Sequence, residues 1–164
     1  MSDTAQRLQI ILDAEEELYV RLRDLLQKER GIVLCMDAAG LQEIARSKEE
    51  FGDQARLLEE SRLEVAAELA VGIGLPAKSN LSTICSKLRE RGSELRLAHN
   101  RLVILVSVVR ELLDANADLV GESLSEVRAT LRLLGGLLPE ENLYCPNGPP
   151  AAAMATGRLL RRSA

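Results

Sequence analysis

The chain has 164 residues, enough for one domain, and a formal net charge of −4 with 28% charged residues. It carries 31 leucines, but aromatics make up only 2% and tryptophan is absent. That composition favours helices over sheets, whose pleated surfaces are filled by aromatic and β-branched side chains. The acidic balance gives no support to polyanion binding, the lack of aromatics argues against base stacking, and a mean hydropathy near zero argues against a disordered chain.

The first residues, Met1 to Glu17, have no basic stretch followed by an apolar run, so they do not read as a secretory signal. The longest apolar stretch, Leu102 to Val109, is interrupted by Ser107 and is too short to span a bilayer. Cys35, Cys85 and Cys145 are odd in number and widely spaced, the pattern of reduced thiols in a cytoplasm.

Proline placement divides the chain. All five prolines (Pro76, Pro139, Pro146, Pro149 and Pro150) lie outside 1–75 and 77–138, so both blocks are free to be helical. In the first block Ile11, Leu18, Leu25 and Ile32 recur at seven, as do Leu12, Tyr19, Leu26 and Val33. This predicts a helix over about residues 4–35 with one wide apolar stripe. Asp37-Ala-Ala-Gly40 reads as a turn, with Asp37 as N-cap of a second helix over 38–72. That helix has a coiled-coil-like seam: Leu41, Lys48, Ala55, Arg62 and Leu69 alternate with Ile44, Phe51, Leu58 and Val65. Lys48 and Arg62 are expected to carry their charged ends out to solvent. The stop at Gly72-Ile-Gly74-Leu-Pro76 makes the two helices an antiparallel hairpin.

Asn80 is a good N-cap for a third helix over 80–138, where apolar positions stay nearly in phase. Unbroken, it would be roughly 85 Å long, against about 50 Å for each of the others. Residues 80 to about 115 can therefore pack on the hairpin, while 116–138 outrun it. The fold expected is all-α: an antiparallel three-helix coiled-coil-like bundle over 1–138. Its long third helix either continues straight or breaks near 116–121 and folds back as a fourth. Residues 139–164 hold four of the five prolines and read as a mobile tail with anchors at Leu143-Tyr144 and Leu159-Leu160.

Catalytic chemistry is hard to assemble. The one histidine, His99, sits on the core stripe, with no nucleophile-bearing turn to serve. No short-spaced Cys/His cluster suits zinc, and no pair of Glu-x-x-His motifs suits a di-iron bundle. Glu15 and Glu29 occupy seam positions and read as edge residues rather than ligands. Residues 40–64 carry four basic and seven acidic side chains, residues 87–101 five basic and two acidic, and the two stretches are expected to face each other. Arg158, Arg161 and Arg162 are too few for stable membrane attachment. Nothing points to an enzyme, a metal, a cofactor, nucleic-acid binding or membrane insertion. The informative feature is the excess length: if the third helix stays straight, Leu119, Val120, Leu124, Val127, Leu131, Leu134 and Leu138 form an apolar stripe without an intramolecular partner, the mark of an interaction site, whereas a fold-back near 116–121 would cover it.

Three stretches add a resemblance. Leu25-Leu-Gln-Lys-Glu-Arg30, followed by Asp37, Leu41, Ile44 and Lys48-Glu49, resembles the first hairpin of the FlgN family of flagellar export chaperones. Asn116-Ala-Asp-Leu119, then Ser123-Leu124, Val127 and Leu131, is similar to that family's Asn-x-x-Leu helix ending before a proline. Tyr144-x-Pro146-Asn147-Gly148 looks like its short tyrosine–glycine tail motif. Gly52 and Gly92, inside expected helices, and the long Pro/Ala-rich tail depart from the pattern. The resemblance implies a cytoplasmic chaperone, without catalysis or cofactor, that binds the C-terminal segment of hook-associated proteins and presents it to the cytoplasmic domain of the export-gate protein FlhA. By the same resemblance, Leu119, Val120, Leu124, Val127, Leu131 and Leu134 would grip the client, and Tyr144 would dock on the gate. The alternative is a coiled-coil adaptor that dimerises through 116–138.

Overall fold

The computed structural model describes residues 3–136. Its elements, in chain order, are α1 (Asp3–Leu34), α2 (Ala38–Gly72), α3 (Leu81–Leu88) and α4 (Ser93–Gly136), with a short 3-10 turn, Arg89–Gly92, between the last two. No strand occurs among the described residues. The chain divides into two compact units, Met1–Ser123 and Leu124–Ala164, and α4 supplies residues to both.

Local chemistry sets the turns. After α1 the chain reverses within three residues, helped by Met36 at φ 52°. Asp37 then caps α2, its carboxylate accepting from the Gly40 N–H at 3.0 Å. A Cβ at Gly40 would lie 2.6 Å from that carboxylate and 3.0 Å from the Ile32 side chain, so any larger residue would have to displace the cap. At the other end of α2, Gly74 takes φ +76°, which lets the Leu75 N–H reach the Ala70 carbonyl at 2.8 Å and the Gly74 N–H reach Val71 at 3.0 Å. This glycine-closed Schellman pattern satisfies carbonyls a helix end would leave unpaired. Asn80 caps α3 by accepting from the Thr83 N–H at 2.8 Å and its hydroxyl at 2.6 Å.

Polar cross-links reveal the helix directions in the first unit. Between α1 and α2 the bonded pairs Arg7–Glu68, Glu15–Arg62 and Glu29–Lys48 have separations of 61, 47 and 19 residues, which shrink along α1 as in an antiparallel hairpin. Between α1 and α4 the pairs Glu16–Arg101, Glu29–Asn116 and Leu26–Asn116 are separated by 85, 87 and 90 residues, so these helices run parallel. The best-packed region joins the start of α1, the end of α2, α3 and the start of α4: Leu8, Leu12, Val65, Leu69, Ile84, Cys85, Leu95 and Leu102 form one buried cluster. Fully burying each leucine or isoleucine contributes about 1.5–3 kcal/mol.

Two expectations are corrected. The block over 80–138 is not one helix, and its interruption is not near 116–121, where α4 is continuous. It falls at Arg89–Gly92, with Arg89 at φ 54°. Gly92 marks the place: a Cβ there would lie 2.8 Å from the Leu88 Cβ and 2.9 Å from the Cys85 carbonyl, so only glycine permits this approach of α4 to α3. The basic stretch 87–101 does not pair with the acidic face of α2 through Arg101, which bonds Glu16 and approaches Asp13 on α1 instead. The expected tail 139–164, Leu138, and the anchors Leu143, Tyr144, Leu159 and Leu160 lie outside the described residues.

Candidate functional site

The α1–α4 offset places the last residue of α1, Leu34, opposite about Gly121 of α4, taking one register along the pair. Burial on α4 follows this limit. Leu95, Ala98, Leu102, Val109 and Asn116 are buried, Leu112, Leu119 and Ser123 are half-buried, and residues 124–135 are exposed. Of the residues expected to bind a client, Leu119 is half-buried while Val120, Leu124, Val127, Leu131 and Leu134 are exposed, Leu131 by 61%. Their 4-3-4-3 spacing sets Val120, Leu124, Val127, Leu131 and Leu134 along one side of the helix. Tyr144 lies outside the described residues.

Asn116 does not belong with the unpartnered positions. It is 2% exposed, and its side-chain amide donates to the Leu26 carbonyl and to Glu29 Oε2, both at 2.8 Å. Glu29 Oε1 in turn accepts from Lys48 Nζ at 2.6 Å. A buried carboxylate is costly unless it is paired and hydrogen-bonded, and here both oxygens are engaged. Glu29, Lys48 and Asn116 come from stretches of sequence that carried the family resemblance, and they meet in one polar layer across α1, α2 and α4. The resemblance thus marks a structural lock in the helix bundle.

A second buried carboxylate lies two heptads earlier. Glu15 pairs with Arg62 at 2.9 Å, and Arg62 also approaches Glu59 at 3.6 Å. Burial pushes the Glu15 carboxyl above the ordinary carboxylate value, against the opposing pull of Arg62. Nearby His99 is half-buried, and burial together with the Arg62 charge lowers its pKa below the ordinary histidine value. So Glu15 and Glu29 are not edge residues, and Lys48 and Arg62 do not simply reach for solvent: their charged ends are tied to buried carboxylates. The signal in the sequence was the coincidence of acidic positions on one seam with basic positions on the facing seam at antiparallel register.

No group of three or more His, Cys, Asp or Glu that could hold a metal occurs among the described residues, and none of their helices is long and apolar enough to cross a membrane. The described residues form an all-helical protein with an exposed apolar line on α4. The model of the FlgN protein family matches residues 1–151, and the chain belongs to that family, whose members are flagellar export chaperones. No curated protein and no solved structure matches the chain.

Proposed function

We propose that this chain is a cytoplasmic chaperone that binds the C-terminal segment of flagellar hook-associated proteins through α4 and passes it to the cytoplasmic domain of FlhA, with Tyr144 docking on the gate. The observation that carries the reading is the apolar line Val120, Leu124, Val127, Leu131 and Leu134, exposed on a helix that needs none of these side chains for its own core. Leu119 borders it. An amphipathic client helix laid on such a line buries area in the range of specific interfaces, about 1,200–2,000 Å² in total, and yields reversible binding without a catalytic group.

The 3–4 spacing also suits a second reading, an adaptor that dimerises through the same side of α4. Titration calorimetry of the full chain with the C-terminal segment of a hook-associated protein separates the two. One-to-one binding with a negative heat-capacity change is expected for the chaperone. The triple variant Leu124→Ser, Val127→Ser, Leu131→Ser should weaken it at least tenfold with unchanged thermal melting, while Tyr144→Ala should spare client binding and weaken FlhA binding. Unchanged affinity in the triple variant rejects the client assignment. No binding, together with a stable dimer in sedimentation, supports the adaptor.

A further inference from the structure

A groove opens between α2 and α4 in the Met1–Ser123 unit. It is an open groove of about 380 Å³ whose walls include Lys48, Phe51, Gly52 and Ala55 of α2 and Val109, Arg110 and Leu113 of α4. That volume is more than twice the ~150 Å³ apolar cavity that admits a benzene ring. The groove continues a seam that is filled elsewhere. Phe51 and Ala55 stand two heptads before Val65 and Leu69, and Val109 stands two and one heptads after Leu95 and Leu102. Those four residues share their buried cluster with Leu81, Ile84 and Cys85 of α3. The eight residues of α3, about 12 Å of helix, thus act as a short fourth helix at one end of the bundle. Among the described residues no corresponding helix fills the groove.

The lining is apolar with two cations and no carboxylate. Lys48 is partly neutralised by Glu29, but Arg110 makes no ion pair among the described residues. Gly52 keeps the α2 wall low, since a Cβ there would meet nothing within 4 Å. We infer that this groove is a second docking site, which takes an acidic amphipathic helix from a partner protein as the missing fourth helix, its apolar residues entering between Phe51 and Leu113 and a carboxylate meeting Arg110. The site does not depend on the reading of the 120–134 face as a client grip.

Its test uses a synthetic 14-residue helical peptide with Leu at i, i+3 and i+7 flanked by Glu, and a second peptide with Lys in place of each Glu. Binding to the full chain is followed by fluorescence anisotropy. The acidic peptide should bind and the basic one should bind at least tenfold more weakly. Gly52→Leu fills the groove in open space and should cut binding at least tenfold without lowering the melting temperature, because leucine is the better helix former. Arg110→Glu, a change at an exposed position, should reverse the preference between peptides, whereas Leu131→Ser should leave both affinities as they were. Equal binding of the two peptides, or full affinity in Gly52→Leu, overturns the inference. So does a dimer of the parent chain that Gly52→Leu dissociates in sedimentation, since the occupant would then be a second copy of this chain.

Discussion

At one end of the Met1–Ser123 unit, where α1 begins and α2 finishes, α3 covers the seam and leucine, isoleucine and cysteine side chains bury almost completely. At the other end the same heptads continue, but polar layers at Glu29–Lys48–Asn116 replace part of the apolar core and a groove is left between α2 and α4. Dispersion and apolar burial stabilise the first end with little geometric demand. The second depends on the Asn116 amide reaching both the Leu26 carbonyl and Glu29, and a slip of α4 by a residue would break both bonds, although the Asn116 Oδ1 is itself without a hydrogen-bond partner in this register. The closed end holds the largest cluster of buried apolar side chains, and the open end holds the hydrogen-bonded layer that ties α4 to α1.

The largest test of this contrast is Ile84→Ala, which empties a fully buried position on α3 itself. It should cost about 2–5 kcal/mol in urea unfolding. A loss below about 1 kcal/mol would show that α3 is not part of the core that holds the unit together. Asn116→Ala comes next. It removes the donor to the Leu26 carbonyl and to Glu29, and should cost about 1–3 kcal/mol in the same measurement. Amide exchange should rise along α4 near residue 116 before it rises near Leu95, and uniform loosening along α4 would remove the distinction between the two ends.

The smallest effect concerns pH. Glu15 is held above its ordinary value of 4.5 in the folded chain, mainly by burial. Between 4.5 and its folded pKa the native state therefore retains a proton that the unfolded chain releases. That contribution to stability is fully present below pH 4.5 and is lost as pH rises through the folded pKa. Glu15→Gln stays neutral throughout, so the stability of the parent relative to this variant should fall on going from pH 4 to pH 7. Parallel pH profiles of parent and variant would show that Glu15 is not proton-linked to folding.

Much of this was legible in the residues. Proline positions, the seven-residue recurrence in α1 and α2, and the caps Asp37 and Asn80 lead to the hairpin and the start of α3, because they act over a few neighbouring side chains. The exposed line on α4 was legible too, from helix length against helix length. The break at Arg89–Gly92 was not, because it has no proline and only Gly92 to mark it, and that glycine is needed because the turn folds it onto Leu88 and Cys85, four and seven residues back, which no apolar period records. Asn116 falls at the start of the 116–138 stretch expected to outrun the hairpin, yet it is bonded to α1, because a heptad assigns a residue to a side of a helix but not the level at which its partner helix ends.

The sequence by itself determined an all-helical chain, where the hairpin reverses, and the presence of an apolar face longer than its own core requires. These follow from short-range propensity and periodicity. Only the tertiary structure decided that α4 runs parallel to α1 and loses that partner near Gly121, that Glu29, Lys48 and Asn116 close into one layer, and that α3 fills just part of a seam. Each of these depends on which residues, 19 to 90 positions apart, come within hydrogen-bonding or packing distance, and such pairings are fixed by the summed fit of the whole bundle.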